Sequence, residues 1–170
     1  MFMQSRSLHI LAIDIRAQQF GFVLIEEPNI ILDCGVSGYR GNLKEALRHK
    51  IARLSELFAP SLILSRHNTK IARHQVSVRA TLDVLKQEAR RRSVTLRFIS
   101  ASSLRQYFSD LGRRNKHEVS QAVVAHFPEL AWRLPKKRKP WQNEPATQAL
   151  FDAAALALMH LARSEKKTDT

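Results

Sequence analysis

The chain has 170 residues, 44% of them hydrophobic, which is the size and composition of one ordinary domain with its own core. Its 28 Lys and Arg against 15 Asp and Glu leave a formal charge of +13, an excess that a fold does not need and a polyanionic partner would use. No apolar run approaches the roughly 20 residues of a membrane-spanning helix, the basic clusters are scattered along the chain, and a lone Cys34 excludes an intrachain disulfide. The segment Met1-Phe2-Met3-Gln4-Ser5-Arg6 lacks the apolar region of a signal peptide. The expectation is a reducing, cytoplasmic setting with nucleic acid, not membrane, as partner.

In chain order, Leu8 to Asp14 reads as a first strand, Gly21 to Ile25 as a second and Ile30 to Val36 as a third, with Glu27-Pro28-Asn29 as the turn between the last two. Together they predict an antiparallel meander. Asn42 is a suitable N-cap for a helix over Leu43 to Phe58, where Leu43, Ala46, Leu47, Ile51, Leu54 and Phe58 recur at three- and four-residue steps, and Pro60 ends it. Leu62-Ile63-Leu64 and Val94 to Ile99 are short strands linked by a long helix from about Lys70 to Arg92, which predicts parallel pairing through right-handed crossovers. On that helix Ile71, Val78, Leu82, Leu85 and Ala89 form the core stripe, while Arg66, Lys70 and Arg73 fall on another side, open to a ligand. Further helices are expected from Ser100 or Ser102 to Asp110, closed by Gly112, from Lys116 to Phe127, and from about Pro145 to Ala162. Between the last two, Pro128 to Asn143 reads as a loop. One domain, 1–164, is expected, with residues 165–170 as a charged, disordered tail.

Two acids are placed for chemistry. Asp14 closes a strand that is apolar on both faces, and Asp152 opens the Ala/Leu helix, so rigid elements hold both at the rim of a core. Metal-dependent phosphoryl chemistry requires its ligands in such a place, although each residue alone suits a turn or a helix N-terminus equally well. Glu144 is the acid best placed to add a third carboxylate, or else it is a helix-start acid. Arg113-Arg114-Asn115-Lys116 at a helix start would combine cations with free backbone N–H groups as a phosphate cradle, with Lys116 foremost. In Trp132-Arg133-Leu134-Pro135-Lys136-Lys137-Arg138-Lys139-Pro140-Trp141 aromatic and basic residues alternate. These tryptophans suit stacking on bases or packing as a lid, and at least one is expected in the core. His67 and His74, seven apart, would stand roughly 10 Å apart along a helix, too far for one zinc.

The residues also carry a family likeness. The stretch Ile13-Asp14-Ile15-Arg16-Ala17-Gln18-Gln19-Phe20-Gly21-Phe22 and the helix Asp152-Ala153-Ala154-Ala155-Leu156-Ala157-Leu158-Met159-His160 resemble the RuvC-like Holliday-junction resolvase branch of the RNase H-like superfamily. Asn115-Lys116-His117, with the stretch Phe127-Pro128-Glu129-Leu130 to Lys139-Pro140-Trp141, is similar to a group of bacterial RNase H-like proteins. The resemblance implies an α/β fold: a mixed five-stranded sheet, antiparallel meander then parallel strands, flanked by helices. It also implies Asp14 and Asp152 as catalytic residues and as ligands of Mg²⁺ or Mn²⁺, with Glu144 as the candidate for the further ligand from its position in the chain; nucleic acid, DNA first, is the expected partner, and a homodimer is compatible with it. The chain departs from the pattern twice. Where the family has a glutamate at the end of the fourth strand, Leu62-Ile63-Leu64-Ser65-Arg66 offers Ser65, and three residues before the helix aspartate it has Ala149. Two functions therefore stand. One is a metal-dependent, structure-selective endonuclease seating nucleic acid on Arg66, Lys70, Arg113, Arg114, Lys116, Lys136, Lys137, Arg138 and Lys139. The alternative is a catalytically degenerate nucleic-acid-binding protein, with binding through a partner protein as a third reading.

Overall fold

The run Ile10-Leu11-Ala12-Ile13-Asp14-Ile15 is buried along its whole length, which is possible only for a strand with neighbours on both edges and packed layers on both faces. In the computed structural model, which describes residues 8–38, 41–67 and 76–168, this run lies in the central strand of one sheet. The strands are β1 (His9–Ile15), β2 (Phe20–Glu26), β3 (Ile30–Ser37), β4 (Leu62–His67) and β5 (Thr95–Ser100), in the order β3-β2-β1-β4-β5. β1, β2 and β3 pair antiparallel, whereas β4 joins β1 and β5 joins β4 in parallel, as the meander and helix-linked strands predict. The helices are α1 (Leu43–Phe58), α2 (Val76–Arg91), α3 (Ala101–Asp110), α4 (Lys116–His126) and α5 (Gln148–Thr168), with a 3-10 helix over Pro128–Arg133.

Side-chain alternation along β1 sorts the core into two layers. Ile10 and Ala12 join Val23, Ile25 and Leu64 against α5, which α3 and α4 cover from outside. Leu11 and Ile13 join Leu24 and Ile63 against α1 and α2. A helix sandwiched between a sheet and other helices must be apolar nearly all round, and α5 is buried continuously from Gln148 to Met159. One contact sets its height above the sheet. A Cβ on Gly21 of β2 would lie 2.0 Å from the backbone carbonyl of Ala149, so only glycine lets α5 settle there.

Several boundaries follow local chemistry. Asn42 Oδ1 accepts from Lys44 N at 3.1 Å, as expected of its N-cap position, and Ser100, not Ser102, caps α3 through Ser103 N at 3.1 Å. α5 begins at Gln148, not Pro145, and continues to Thr168, beyond the predicted end at Ala162. Residues 165–168, expected in a disordered tail, are thus helical: Ser164 Oγ bonds back to His160 O at 3.0 Å, and Lys166 and Lys167 suit the negative end of the helix dipole. Neither tryptophan packs in the core, since Trp132 and Trp141 are each 77% exposed and Leu130 takes the buried place beneath this segment. Lys70, Ile71, Arg73 and His74, and with them the expected first turn of the long helix, lie outside the described residues. Among the described residues no helix is long and apolar enough to cross a membrane.

Candidate functional site

Asp14 follows Ile10 and Ala12 on the face of β1 that α5 covers, and it is fully buried. Asp152 meets it from above. It lies past the first turn of α5 rather than at the helix head, so the dipole does not explain its presence. Gln148, one turn earlier, donates from Nε2 to Asp152 Oδ1 at 2.9 Å and to Ser120 Oγ of α4 at 3.3 Å, which fixes the carboxylate from behind. Glu144, in the segment leading into α5, completes a group of three converging acids.

Three cations occupy the space between these acids. Arg16, just beyond β1, donates from Nε to Asp14 Oδ2 at 3.1 Å and from Nη2 to Asp152 Oδ2 at 2.5 Å, while its Nη1 stands 3.1 Å from Glu144 Oε2. Arg66 Nη2 lies 2.9 Å from Asp14 Oδ1 and its Nη1 lies 3.9 Å from Asp152 Oδ2. Lys116 pairs with Glu144 Oε1 and stands 3.5 Å from Asp152 Oδ2. Three negative and three positive groups thus form a closed, charge-balanced cluster.

The place beside Asp14 on β4 belongs to Arg66 and not to Ser65. The register pairs Ile13 with Ser65, and alternation turns Ser65 toward the α1/α2 layer, where its buried Oγ donates to Ile13 O at 3.0 Å. Arg66, like Leu64, faces α5. The departure from the resolvase pattern is therefore a reversal of charge at this position rather than a neutral substitution.

Burial shapes the titration of the acids first. Desolvation pushes Asp14 above the usual carboxylate range; Arg66 and Arg16 offset it only in part, and the nearby Asp152 charge adds to it. Glu144 is less enclosed: burial pushes it up, but the hydrogen bond from Lys116 and the charge of Arg16 outweigh this and hold it low. Arg16 loses solvation on burial, yet the charges of Asp14, Asp152 and Glu144 more than compensate and raise its pKa further.

The expected phosphate cradle at the start of α4 is already filled. Asn115 Oδ1 accepts from Glu118 N at 3.0 Å and Glu118 Oε2 accepts from Arg114 N at 2.6 Å, a reciprocal cap, while Arg113 N bonds to Phe108 O at 2.8 Å. What Arg113 and Arg114 do line is a cavity of about 200 Å³ beside the cluster, with Arg66, Arg105, Lys116 and Asp152 on its wall and Leu104 and Phe108 beneath. Lys136, Lys137, Arg138 and Lys139 are exposed on the separate loop after the 3-10 helix.

Arg16, Gln148, Ser120 and Arg105 were not legible as site residues from sequence. Arg16 carried one signal, a cation in the turn directly after a strand-end acid. The others depend on how α3, α4 and α5 pack together.

Divalent-metal chemistry is what the resolvase resemblance implies, and the donor set can be tested for it. All six oxygens of Asp14, Asp152 and Glu144 face a cationic or amide nitrogen within 3.9 Å. Arg66 stands where another acid would be needed, and among the described residues no three His, Cys, Asp or Glu side chains are grouped to hold a metal ion. The arrangement does not fit a divalent cation. It is an ion-pair cluster, in which arginine and lysine supply the positive charge.

No protein-family model matches the chain, and no curated protein does. Solved structures do. Thermus thermophilus RuvC matches with a TM-score of 0.70 at 17% identity, over 95% of this chain and 98% of RuvC. T. thermophilus RuvC in complex with a Holliday-junction substrate matches with a TM-score of 0.69 at 16% identity, over 94% of this chain and 96% of that one. The Fowlpox virus resolvase, in complex with its substrate Holliday-junction DNA, matches with a TM-score of 0.57 at 10% identity, over 92% of this chain and 98% of the resolvase. The chain has the RNase H-like fold of these resolvases along nearly its whole length.

Proposed function

We propose that this protein binds nucleic acid, branched DNA in the first place, on the resolvase fold without metal-dependent cleavage. The observation that carries this reading is the Arg16 guanidinium, which reaches Asp14, Glu144 and Asp152 at once. With Arg66 opposite Asp14, the cluster balances the charge of its carboxylates internally and leaves them no net charge to attract a divalent ion. The formal +13 of the chain still favours a polyanion. The resolvase structures that share the fold include two complexes with Holliday-junction substrates, which makes a four-way junction the natural first probe.

The endonuclease reading keeps one observation on its side: Asp14 Oδ1, though close to Arg66, is buried and accepts no hydrogen bond. That reading requires Arg16, Arg66 and Lys116 to leave the carboxylates together. The deciding experiment incubates the protein with a labelled four-way DNA junction at several KCl concentrations, without metal and with Mg²⁺ or Mn²⁺. The expected result is a mobility shift that weakens steeply with salt, as counterion release demands, and an intact junction under both metals. Cleavage that disappears in Asp14→Asn would overturn the proposal in favour of the endonuclease. The absence of salt-dependent binding would overturn both.

A further inference from the structure

Arg16, Arg66 and Lys116 are neutralised by the acids they meet, so positive charge for a polyanion must come from other residues. Its densest run along the chain is the ten residues from Trp132 to Trp141, which hold Arg133, Lys136, Lys137, Arg138 and Lys139 and no acid. Among the described residues none of Lys136, Lys137, Arg138 and Lys139 is ion-paired with a carboxylate, although Arg138 Nη1 donates to Gln142 O at 2.5 Å.

This segment is anchored rather than splayed. Pro135 is buried, and His117 Nδ1 donates to its carbonyl at 3.2 Å. Gln142 turns the chain back through Gln142 N to Lys139 O at 3.0 Å and Lys139 N to Gln142 Oε1 at 2.9 Å. Residues from both arms of this turn line an open groove of about 550 Å³: Trp132, Lys136, Lys137 and Arg138 from the first, Gln142 and Asn143 from the second. Each arm carries a tryptophan that is 77% exposed, Trp132 on the first and Trp141 on the second. Each indole also has a cation over its ring: the Arg133 guanidinium carbon is 4.4 Å from the Trp132 centroid and Lys139 Nζ is 5.3 Å from that of Trp141.

A large aromatic surface left in water, on an anchored turn beside unpaired cations, is what an unstacked base and its phosphate would use together. A flat indole face accepts any base, while Lys136, Lys137 and Arg138 attract the backbone that links successive bases. A regular duplex keeps its bases stacked inside and offers this groove phosphates alone. We infer that this groove, lined by Trp132 and followed in the chain by the exposed Trp141 next to its lining residue Gln142, is a binding site for single-stranded nucleic acid, in which the two tryptophans stack on bases and Lys136, Lys137 and Arg138 hold the phosphates. The inference rests on the nucleic-acid-binding reading above and names the structure that the basic loop takes. Asn143 and Pro145, which line the groove, flank Glu144 of the ion-pair cluster, so the site runs from the loop to the rim of the carboxylate centre.

Trp132 and Trp141 are the only two tryptophans, so their own emission reports occupancy. The test titrates the full chain with an oligothymidylate of about twenty nucleotides and, separately, with a blunt duplex of the same length at the same salt. Expected are quenching of the tryptophan emission by the oligothymidylate, and affinity for it that falls about ten-fold or more in Trp132→Ala or Trp141→Ala while affinity for the duplex changes less than two-fold. Phenylalanine at either position should restore much of the loss, and unchanged far-ultraviolet dichroism would show that these exposed substitutions leave the fold intact. Equal weakening of both ligands, or no weakening of either, would overturn the stacking site. A four-way junction bound with normal salt dependence by the same variants would then leave the broader reading standing, whereas no binding of any nucleic acid by the unaltered protein would overturn both.

Discussion

Arg16 lies two residues after Asp14, yet its Nη2 sits 2.5 Å from Asp152 Oδ2, 136 residues further along the chain. A single guanidinium thus joins the central strand to the buried helix through charge-assisted hydrogen bonds, the strong class of such contacts. Its reach to Glu144 adds the segment that leads into the helix. The cluster is therefore a structural joint between β1, α5 and the segment that leads into α5.

Removing the guanidinium should expose this double character. Arg16→Ala leaves Asp14 and Asp152 buried with fewer cations, and breaking a buried pair in this way costs about 3 to 5 kcal/mol. Differential scanning fluorimetry should show the loss as a lower Tm. Millimolar Mn²⁺ should recover part of it in the variant, since three acids would then face one another with only Arg66 and Lys116 between them, and should leave the parent unchanged. An equal rise of Tm in the parent protein would contradict the misfit of its donor set to metal.

Within the cluster, Asp14 and Glu144 are shifted in opposite directions and should give opposite pH slopes. Glu144 is held below its ordinary value, so its contribution to stability is complete above that value and fades as pH falls through the folded-state pKa. Asp14 is raised, so the folded state binds its proton more tightly; its contribution is complete below the ordinary aspartate value and fades as pH rises through the raised one. Urea unfolding between pH 3 and pH 7 should therefore show the gap between parent and Glu144→Gln widening with pH, and the gap between parent and Asp14→Asn narrowing.

The helix seat predicts a purely steric effect. Gly21→Ala would place a methyl group 2.0 Å from backbone atoms of Ala149, and neither backbone can yield without moving α5 or β2. Overpacking of this kind costs about 3 kcal/mol, which corresponds to a Tm lower by roughly 6 to 12 °C in a chain of this size. A variant as stable as the parent would show that α5 can lift off the sheet.

Binding to a DNA junction should discriminate between engaged and free cations. Replacing Lys136, Lys137 and Arg138 by Gln together should flatten the plot of log affinity against log salt by about 2 to 3 units, close to one per lost phosphate contact. Lys116→Gln should flatten it by less than one unit, because Lys116 is turned toward Glu144 and Asp152. The reverse order would restore Lys116 as the leading phosphate contact.

The sheet order was legible because it depends on signals short in range and strong in pattern. Apolar strands broken by turns predict the meander, and the helix between Leu64 and Val94 predicts the parallel pair. Asp14 and Asp152 were legible for the same reason, each being an acid attached to an apolar element. What stood beside them was not. Whether Ser65 or Arg66 faces Asp14 depends on the pleat of β4 relative to β1, which a stretch as short as Leu62 to His67 does not reveal in its composition. The filled start of α4 was missed although Asn115 and Glu118 stand at capping-box spacing, because the surrounding arginines drew the reading toward phosphate. The exposed tryptophans reversed the expected burial of at least one of them; Leu130 and Pro135 are the buried residues of this segment instead.

The contact between Gly21 and Ala149 bears on how such a site can evolve. Asp14 lies opposite Gly21 in the strand register, and Asp152 lies one helical turn beyond Ala149, so this contact governs the spacing of the two acids. None of Arg16, Arg66 and Lys116, the groups that fill the gap, takes part in it. Spacing and contents are thus encoded by separate residues. Substitution can change the contents while the glycine preserves the frame that holds them.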